Sequence, residues 1–296
     1  MSENKIITSL KDHPIASFFI LAYAITWVSW LPATLGQESF ISQLGFLIGG
    51  FGPAVSALVV IYFTGGSVRE WAEKIIHWRV DPKWYIAAFG IPVLLVLVVT
   101  IEFLLLGNDI DLSVLPQRLV AYAPSLVFIA LVGGGNEEPG WRGFALPRLQ
   151  EKLSPVLATL LLGLIWAFWH LPLLLADPHV KDELMASPAD FLPLVFLTLI
   201  GILGYSFYYT WLYNRTQSVL LCIIMHAGFN TANSLLYPLS EEALHGDIYP
   251  LLLFLTTLTL FLGVGVLITL TKGRLGYAIE STEQIDPADS ESYPTL

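Results

Sequence analysis

The sequence predicts an all-α protein: a polytopic membrane helical bundle of about eight transmembrane helices, with both termini cytoplasmic. Three observations lead there. The 296 residues are 55% hydrophobic and only 13% charged, whereas soluble domains carry about 25% charged residues. The apolar residues fall into long continuous runs, unlike the alternating strands of a membrane β-barrel. Lysine and arginine cluster between alternate runs.

The runs follow in order. Pro14–Leu35 has span length, roughly 17–25 residues, and no small-residue cleavage site behind it, so it reads as a retained anchor. Phe40–Thr64 contains Phe51-Gly52-Pro53. The connector Arg69–Lys83 mixes Trp71, Ile75, Ile76 and Trp78 with basic residues and suits the inner interface. Trp84–Leu106 holds Glu102 near its outer end, and Leu119–Gly135 ends in three glycines. Pro155–Leu175, Phe191–Tyr213, Ser218–Tyr237 and Tyr249–Leu270 complete the set. In hydrocarbon a helix satisfies its own backbone groups, so every run is expected to be helical. The bundle is expected over residues 1–274, with a motif-bearing core at about 119–237. Residues 275–296 form an acidic, apolar-poor tail expected to be disordered.

Eight spans with an inner N-terminus put twelve of the fourteen basic residues on the cytoplasmic side, leaving only Arg118 and Lys181 outside. That asymmetry supports both termini inside and an even number of spans. The bacterial cytoplasmic membrane is the expected location, and the lipid bilayer the first partner. A net charge of -10 argues against nucleic acid as a partner. The single Cys222 excludes a disulfide framework and reads as a small buried residue. Nothing in the sequence sets the oligomeric state.

Ionisable groups are costly at membrane depth and mark functional sites there. Glu137 and Glu138 follow the triple glycine in Asn136-Glu137-Glu138-Pro139-Gly140-Trp141-Arg142. Asn136 is a good N-cap for a new helical segment, and Pro139 is tolerated in its first turn. Glu138 and Arg142, four apart, share a face and can pair. Glu137 points about 100° away, free to take a proton from water. His170 lies among the aromatics of Trp166-Ala167-Phe168-Trp169-His170. His226 and Asn230 share a helix face, and Ala227 and Gly228 let another helix approach. Each constellation alone also suits a solvated cap or helix-to-helix glue. Three on successive stretches of one bundle point to a common site.

The order Glu-Glu-x-x-x-Arg, aromatic-x-x-x-His, His-x-x-x-Asn resembles the CPBP intramembrane proteases, which include type II CAAX prenyl endopeptidases and bacteriocin-immunity-like proteins. It is met by Glu137-Glu138…Arg142, Trp166…His170 and His226…Asn230, over roughly Leu119 to Leu236. Phe51-Gly52-Pro53 also resembles a recurrent feature of that family. Trp166 departs from it, since the motif usually carries Phe. The resemblance implies an intramembrane endopeptidase acting on a membrane-associated peptide or protein. Glu137 would be the general base, His170 would position the water or assist proton transfer, and His226 with Asn230 would stabilise the oxyanion. Glu138 and Arg142 would support the segment.

The cofactor is open between none and zinc. Glu137, His170 and His226 form a credible catalytic zinc set. They come from three helices, however, with no His-Glu-x-x-His helix to preorganise them, which favours a metal-free glutamate. Two other classes use the same residues: a proton- or ion-coupled transporter, with Glu102 as a further titratable group, and a non-catalytic immunity or binding protein. Geometry sets a demand of its own. His170 lies roughly 20 Å along its helix from Pro155, while Glu137 stands near the inner end of its run. They meet only if helix four continues past Glu137, helix five starts later, or the helices tilt. A water-filled cavity open to the cytoplasm is expected.

Overall fold

The computed structural model describes residues 5–37, 39–176, 187–246 and 248–278, and among these all regular structure is helical. The chain opens with α1 (Lys5–Asp12) and α2 (Pro14–Thr34). Pro14 stands at the start of α2, where a missing N–H costs no helical bond. Ser39 caps α3 (Phe40–Gly50) by accepting a hydrogen bond from the Ser42 N–H. α4 (Gly52–Thr64) follows after a 51° bend. The second apolar run is thus a bent pair, broken at the Phe51-Gly52-Pro53 string.

The connector folds as α5 (Val68–Ile75), which has no fully buried residue, as expected for an interfacial helix. Burial, with Arg148 nearby, holds the Lys74 ammonium below its ordinary range. Asp81 caps α6 (Pro82–Leu105) through the Lys83 N–H at 3.0 Å. Next come α7 (Leu115–Val132), α8 (Glu138–Gly140) and α9 (Leu146–Gln150), then α10 (Pro155–Trp169) and α11 (Leu171–Ala176). The chain continues through α12 (Pro188–Thr216), α13 (Val219–Leu235), α14 (Glu241–His245) and α15 (Tyr249–Leu270).

All eight apolar runs are therefore helical. Among the described residues six helices are long and apolar enough to cross a membrane, or up to seven if the bent pair is one span. The run over α13 is helical for 17 residues only, and this shorter apolar helix is not one of the six. Ile20, Ile86, Leu105, Val120 and Leu270 all point outward, an apolar surface suited to lipid and not to water. The protein is an integral multi-pass membrane protein. Of the acidic tail, residues 279–296 lie outside the described residues, as does Lys181. Leu275 is fully buried and its carbonyl accepts from Asn214 Nδ2 at 3.0 Å, so the folded body reaches just past Arg274.

α13 is the central helix, packed against α6, α7 and α12. The expected close approach is at Gly228, where a methyl would stand 3.0 Å from Pro92 Cγ on α6. α2 is laced to the α10–α11 arm by side chains that donate to backbone carbonyls. Tyr23 bonds Ile165, Trp27 bonds Trp169 at 3.1 Å, and Thr34 bonds Pro172 at 3.1 Å. In a medium without water, each such bond satisfies a donor at no cost to the helix it serves.

Candidate active site

The glycines after α7 break the helix but do not end the span. Gly134 adopts φ 136, a conformation strained for any residue with a Cβ. A methyl there would also fall 2.7 Å from His226 Nε2 and 2.8 Å from Asn230 Nδ2. Glycine at this position is what lets α13 press its polar face against the break. Asn136 corrects the sequence-based expectation of an N-cap. It lies inside a 3-10 turn, and its Oδ1 turns back to accept the Gly134 N–H at 3.0 Å.

Beyond the break the chain stays helical, through a 3-10 turn at Gly135–Glu137, α8, a π-turn at Trp141–Ala145, and α9. The whole path, Leu112–Gln150, is 39 residues long. π-turns are rare and often found at functional sites. Helix four thus continues past Glu137, which resolves the depth conflict. Glu137 lies about 20 Å before Gln150 along the path, and His170 about 22 Å after Pro155. The two strands of this hairpin bring them level. His170 itself closes α10 instead of lying within it, since its N–H bonds to the Ala167 carbonyl at 3.1 Å.

The two acids face different ways, as a 100° turn requires. Glu138 and Arg142 are fully buried, and Arg142 Nη1 donates to Glu138 Oε1 at 3.1 Å. The same oxygen faces His226 Nδ1 at 2.8 Å. Arg142 Nη2 donates to Ser206 Oγ at 2.8 Å, and its guanidinium lies 4.8 Å from the rings of both Trp166 and Tyr209. A buried charge needs such pairing and bonding to be tolerated. The Tyr209 and His226 rings stack at 5.3 Å.

Glu137 meets two indoles. Trp166 Nε1 donates to its Oε2 at 2.7 Å, and Trp141 Nε1 reaches the same atom at 3.4 Å. The other oxygen, Oε1, stands 4.0 Å from His170 Nε2. These side chains keep a little exposure, 13% for His170 and 8% for Glu137, so the gap between them is not sealed. His170 Nδ1 lies 2.8 Å from the Trp166 carbonyl. A carbonyl only accepts, so Nδ1 carries the hydrogen and Nε2 of a neutral ring is an acceptor. Asn230 donates through Nδ2 to the Gly133 carbonyl at 3.2 Å, which leaves the second amide hydrogen uncommitted by that bond.

The structure therefore brings Glu137, Glu138, Arg142, His170, His226 and Asn230 into one cluster. Glu102 bonds elsewhere, accepting from Thr259 Oγ1 on α15 at 2.7 Å. The zinc candidates do not fit as a ligand set: among the described residues no three His, Cys, Asp or Glu side chains form a group able to hold a metal ion. Glu138 engages one nitrogen of His226 and Trp166 one nitrogen of His170. A cavity of about 820 Å³ lies beside the cluster, lined by Leu173, Tyr205, Asn233, Ser234 and Tyr237. It adjoins the Leu235 end of α13. On the side of α5, Trp71 Nε1 donates to the Pro139 carbonyl at 2.9 Å.

The sequence does not single out Trp141, Ser206 or Tyr209, and it offers Trp166 only as the aromatic position of a motif. Trp141 was discoverable, because it follows Glu137 by four and shares its face. Ser206 and Tyr209 lie on α12 outside any motif, and only tertiary packing brings them in.

The family model for type II CAAX prenyl endopeptidases, described as Rce1-like, matches residues 119–232. The motif-bearing core is similar to that family over these residues. The chain is also 27% identical over 241 residues to CAAX prenyl protease 2 of Methanococcus maripaludis, covering 78% of this chain and 87% of that one. The Rce1-like match runs from α7 into α13 and takes in every residue of the cluster. The two likenesses bear out the resemblance drawn from the motifs and support a CAAX-type intramembrane protease.

Proposed function

We propose that the protein is an intramembrane endopeptidase that hydrolyses a peptide bond of a membrane-associated protein or peptide through water activated by Glu137. The observation that carries this reading is the 4.0 Å gap between Glu137 Oε1 and His170 Nε2. It is too long for a direct hydrogen bond. One water bonding both atoms at about 2.8 Å would span it, with an angle of about 90° at its oxygen.

The steps follow from the atoms that line the gap. Glu137 takes one proton from water while His170 Nε2 accepts the other hydrogen and aims a lone pair. The water oxygen bonds to the scissile carbonyl carbon, and the carbonyl oxygen gains the negative charge. Asn230 offers its amide hydrogen to that oxygen, a neutral donor whose position is already set. His226 stands beside it with Nδ1 committed to Glu138. To donate through Nε2 as well, its ring must carry both hydrogens, with Nδ1–H held by Glu138, which also pairs with Arg142. The C–N bond breaks as Glu137 returns its proton to the leaving nitrogen. No step runs through a metal, because the donor atoms do not form a ligand set.

The name of the archaeal relative extends this to prenylated CAAX tails as the substrate class. The charge asymmetry supports a reading with both termini of a membrane body over residues 1–274 on the cytoplasmic side, and the bacterial cytoplasmic membrane is the proposed location. The test compares purified protein with its Glu137→Gln variant in liposomes bearing a prenylated CAAX peptide and an unprenylated control. Cleavage by the parent alone, with both proteins equally folded, supports the reading. Equal cleavage by the variant, or proton flux without cleavage by either, overturns it.

A further inference from the structure

Trp166 is the most connected side chain of the site. Its ring centroid lies 5.3 Å from His170 and 5.3 Å from His226, both edge to face. Its face receives the Arg142 guanidinium at 4.8 Å. Its indole N–H donates to Glu137 Oε2 at 2.7 Å, while its backbone carbonyl faces His170 Nδ1 at 2.8 Å. One residue therefore touches both walls of the 4.0 Å gap. The carbonyl contact is available to any residue at this position. The N–H contact is available to tryptophan and not to the phenylalanine usual in similar motifs.

We propose that Trp166 is the positioning residue for Glu137: its indole N–H holds Oε2 and so turns Oε1 toward His170. The inference rests on the proposed hydrolytic role of Glu137 and deepens it. A carboxylate has two equivalent oxygens and rotates about its terminal torsion in a broad, roughly two-fold well. A single short bond to one oxygen removes that freedom. Trp141 cannot do this alone, because 3.4 Å is beyond the usual length of an N–H···O bond. Arg142 does not do it either: its guanidinium bonds go to Glu138 and Ser206 instead. Charge-assisted bonds are directional as well as strong. Small misplacements of a reacting group can cost a factor of about a hundred in rate.

The decisive variant replaces Trp166 with 3-benzothienylalanine, which keeps the bicyclic shape and substitutes sulfur for the N–H. We expect kcat to fall about ten- to hundredfold with KM and the thermal midpoint unchanged. Trp166→Phe, with its smaller ring, should show the same fall in kcat together with a lower thermal midpoint. A benzothienylalanine protein with unaltered kcat overturns the proposal, and so does a loss that appears in KM. An activity-free measurement separates this inference from the reading of the function. In protein labelled with 15N at the indole nitrogens, Glu137→Gln should shift the Trp166 N–H resonance. A shift with no cleavage by the parent would sink the hydrolase and leave the bond standing. An unmoved resonance sinks the Trp166 proposal whatever the enzyme does.

Discussion

Gly140 lies directly against the backbone of Pro53. A methyl on Gly140 would stand 2.5 Å from the Pro53 carbonyl carbon and oxygen, closer than real carbon atoms approach. The 51° bend between α3 and α4 thus presents its proline to the turn that carries the acid pair. Both partners are backbone or ring atoms, so neither can swing aside. Gly140→Ala should destabilise the protein by about 1–3 kcal/mol, the usual cost of overpacking. Cleavage should fall with it, because α8 must move. Thermal unfolding in detergent and peptide cleavage, measured on the same preparation, check both effects; a variant with wild-type melting would show that the bend yields.

Glu138 is the counter-charge of a buried guanidinium, with both side chains at 0% exposure. Glu138→Ala leaves Arg142 unpaired in a dry interior, a change that costs about 3–5 kcal/mol. Glu138→Gln keeps the shape and one acceptor, and should retain more of the folded population than alanine. The comparison needs only expression and thermal midpoints. Midpoints unchanged from the parent in both variants would contradict the role assigned to charge.

Asn230 bonds the Gly133 carbonyl at 3.2 Å and stands 2.8 Å from where a Gly134 methyl would be. If its amide also meets the oxyanion, Asn230→Ala should lower kcat by about a hundred- to a thousandfold. KM should change little, since the ground-state carbonyl needs less of that bond than the transition state does. Steady-state kinetics separates the two constants, and a purely KM effect would move Asn230 from catalysis to substrate binding.

Chelation tests the reading of the donor set. With no three-residue metal group among the described side chains, cleavage should survive exhaustive dialysis against a strong zinc chelator. Zinc content measured on the dialysed protein makes the result decisive. Activity that vanishes with the metal and returns on adding it would show that the side chains rearrange into a ligand set.

Much of this architecture was legible in the residues. The eight apolar runs are all helical, because a continuous apolar stretch has no other way to satisfy its backbone in hydrocarbon. The Glu138–Arg142 pair followed from spacing, and the close approach of a helix from the small side chains at Ala227 and Gly228, though not that the helix is α6. Depth was not legible. Three glycines read as the end of a helix, while the chain passes through 3-10 and π turns and remains inside the bundle. Those turns are stabilised by tertiary neighbours such as Pro53 and Trp71, which no local pattern reveals. The indole bonds to Glu137 were equally hidden. Tryptophan in a membrane helix ordinarily reads as apolar bulk, and only distance shows that its one polar atom faces an acid.

The bonds that lace α2 to α10 and α11 join residues 138 to 142 positions apart in the chain. During synthesis α2 therefore enters the bilayer long before its acceptors are made. Insertion of helices precedes their association, so Tyr23 and Trp27 wait as donors until the ribosome has passed Trp169. Assembly of the catalytic cluster is later still, because it requires α13. A nascent chain stalled before His226 would be membrane-embedded, well advanced in length, and without a working centre.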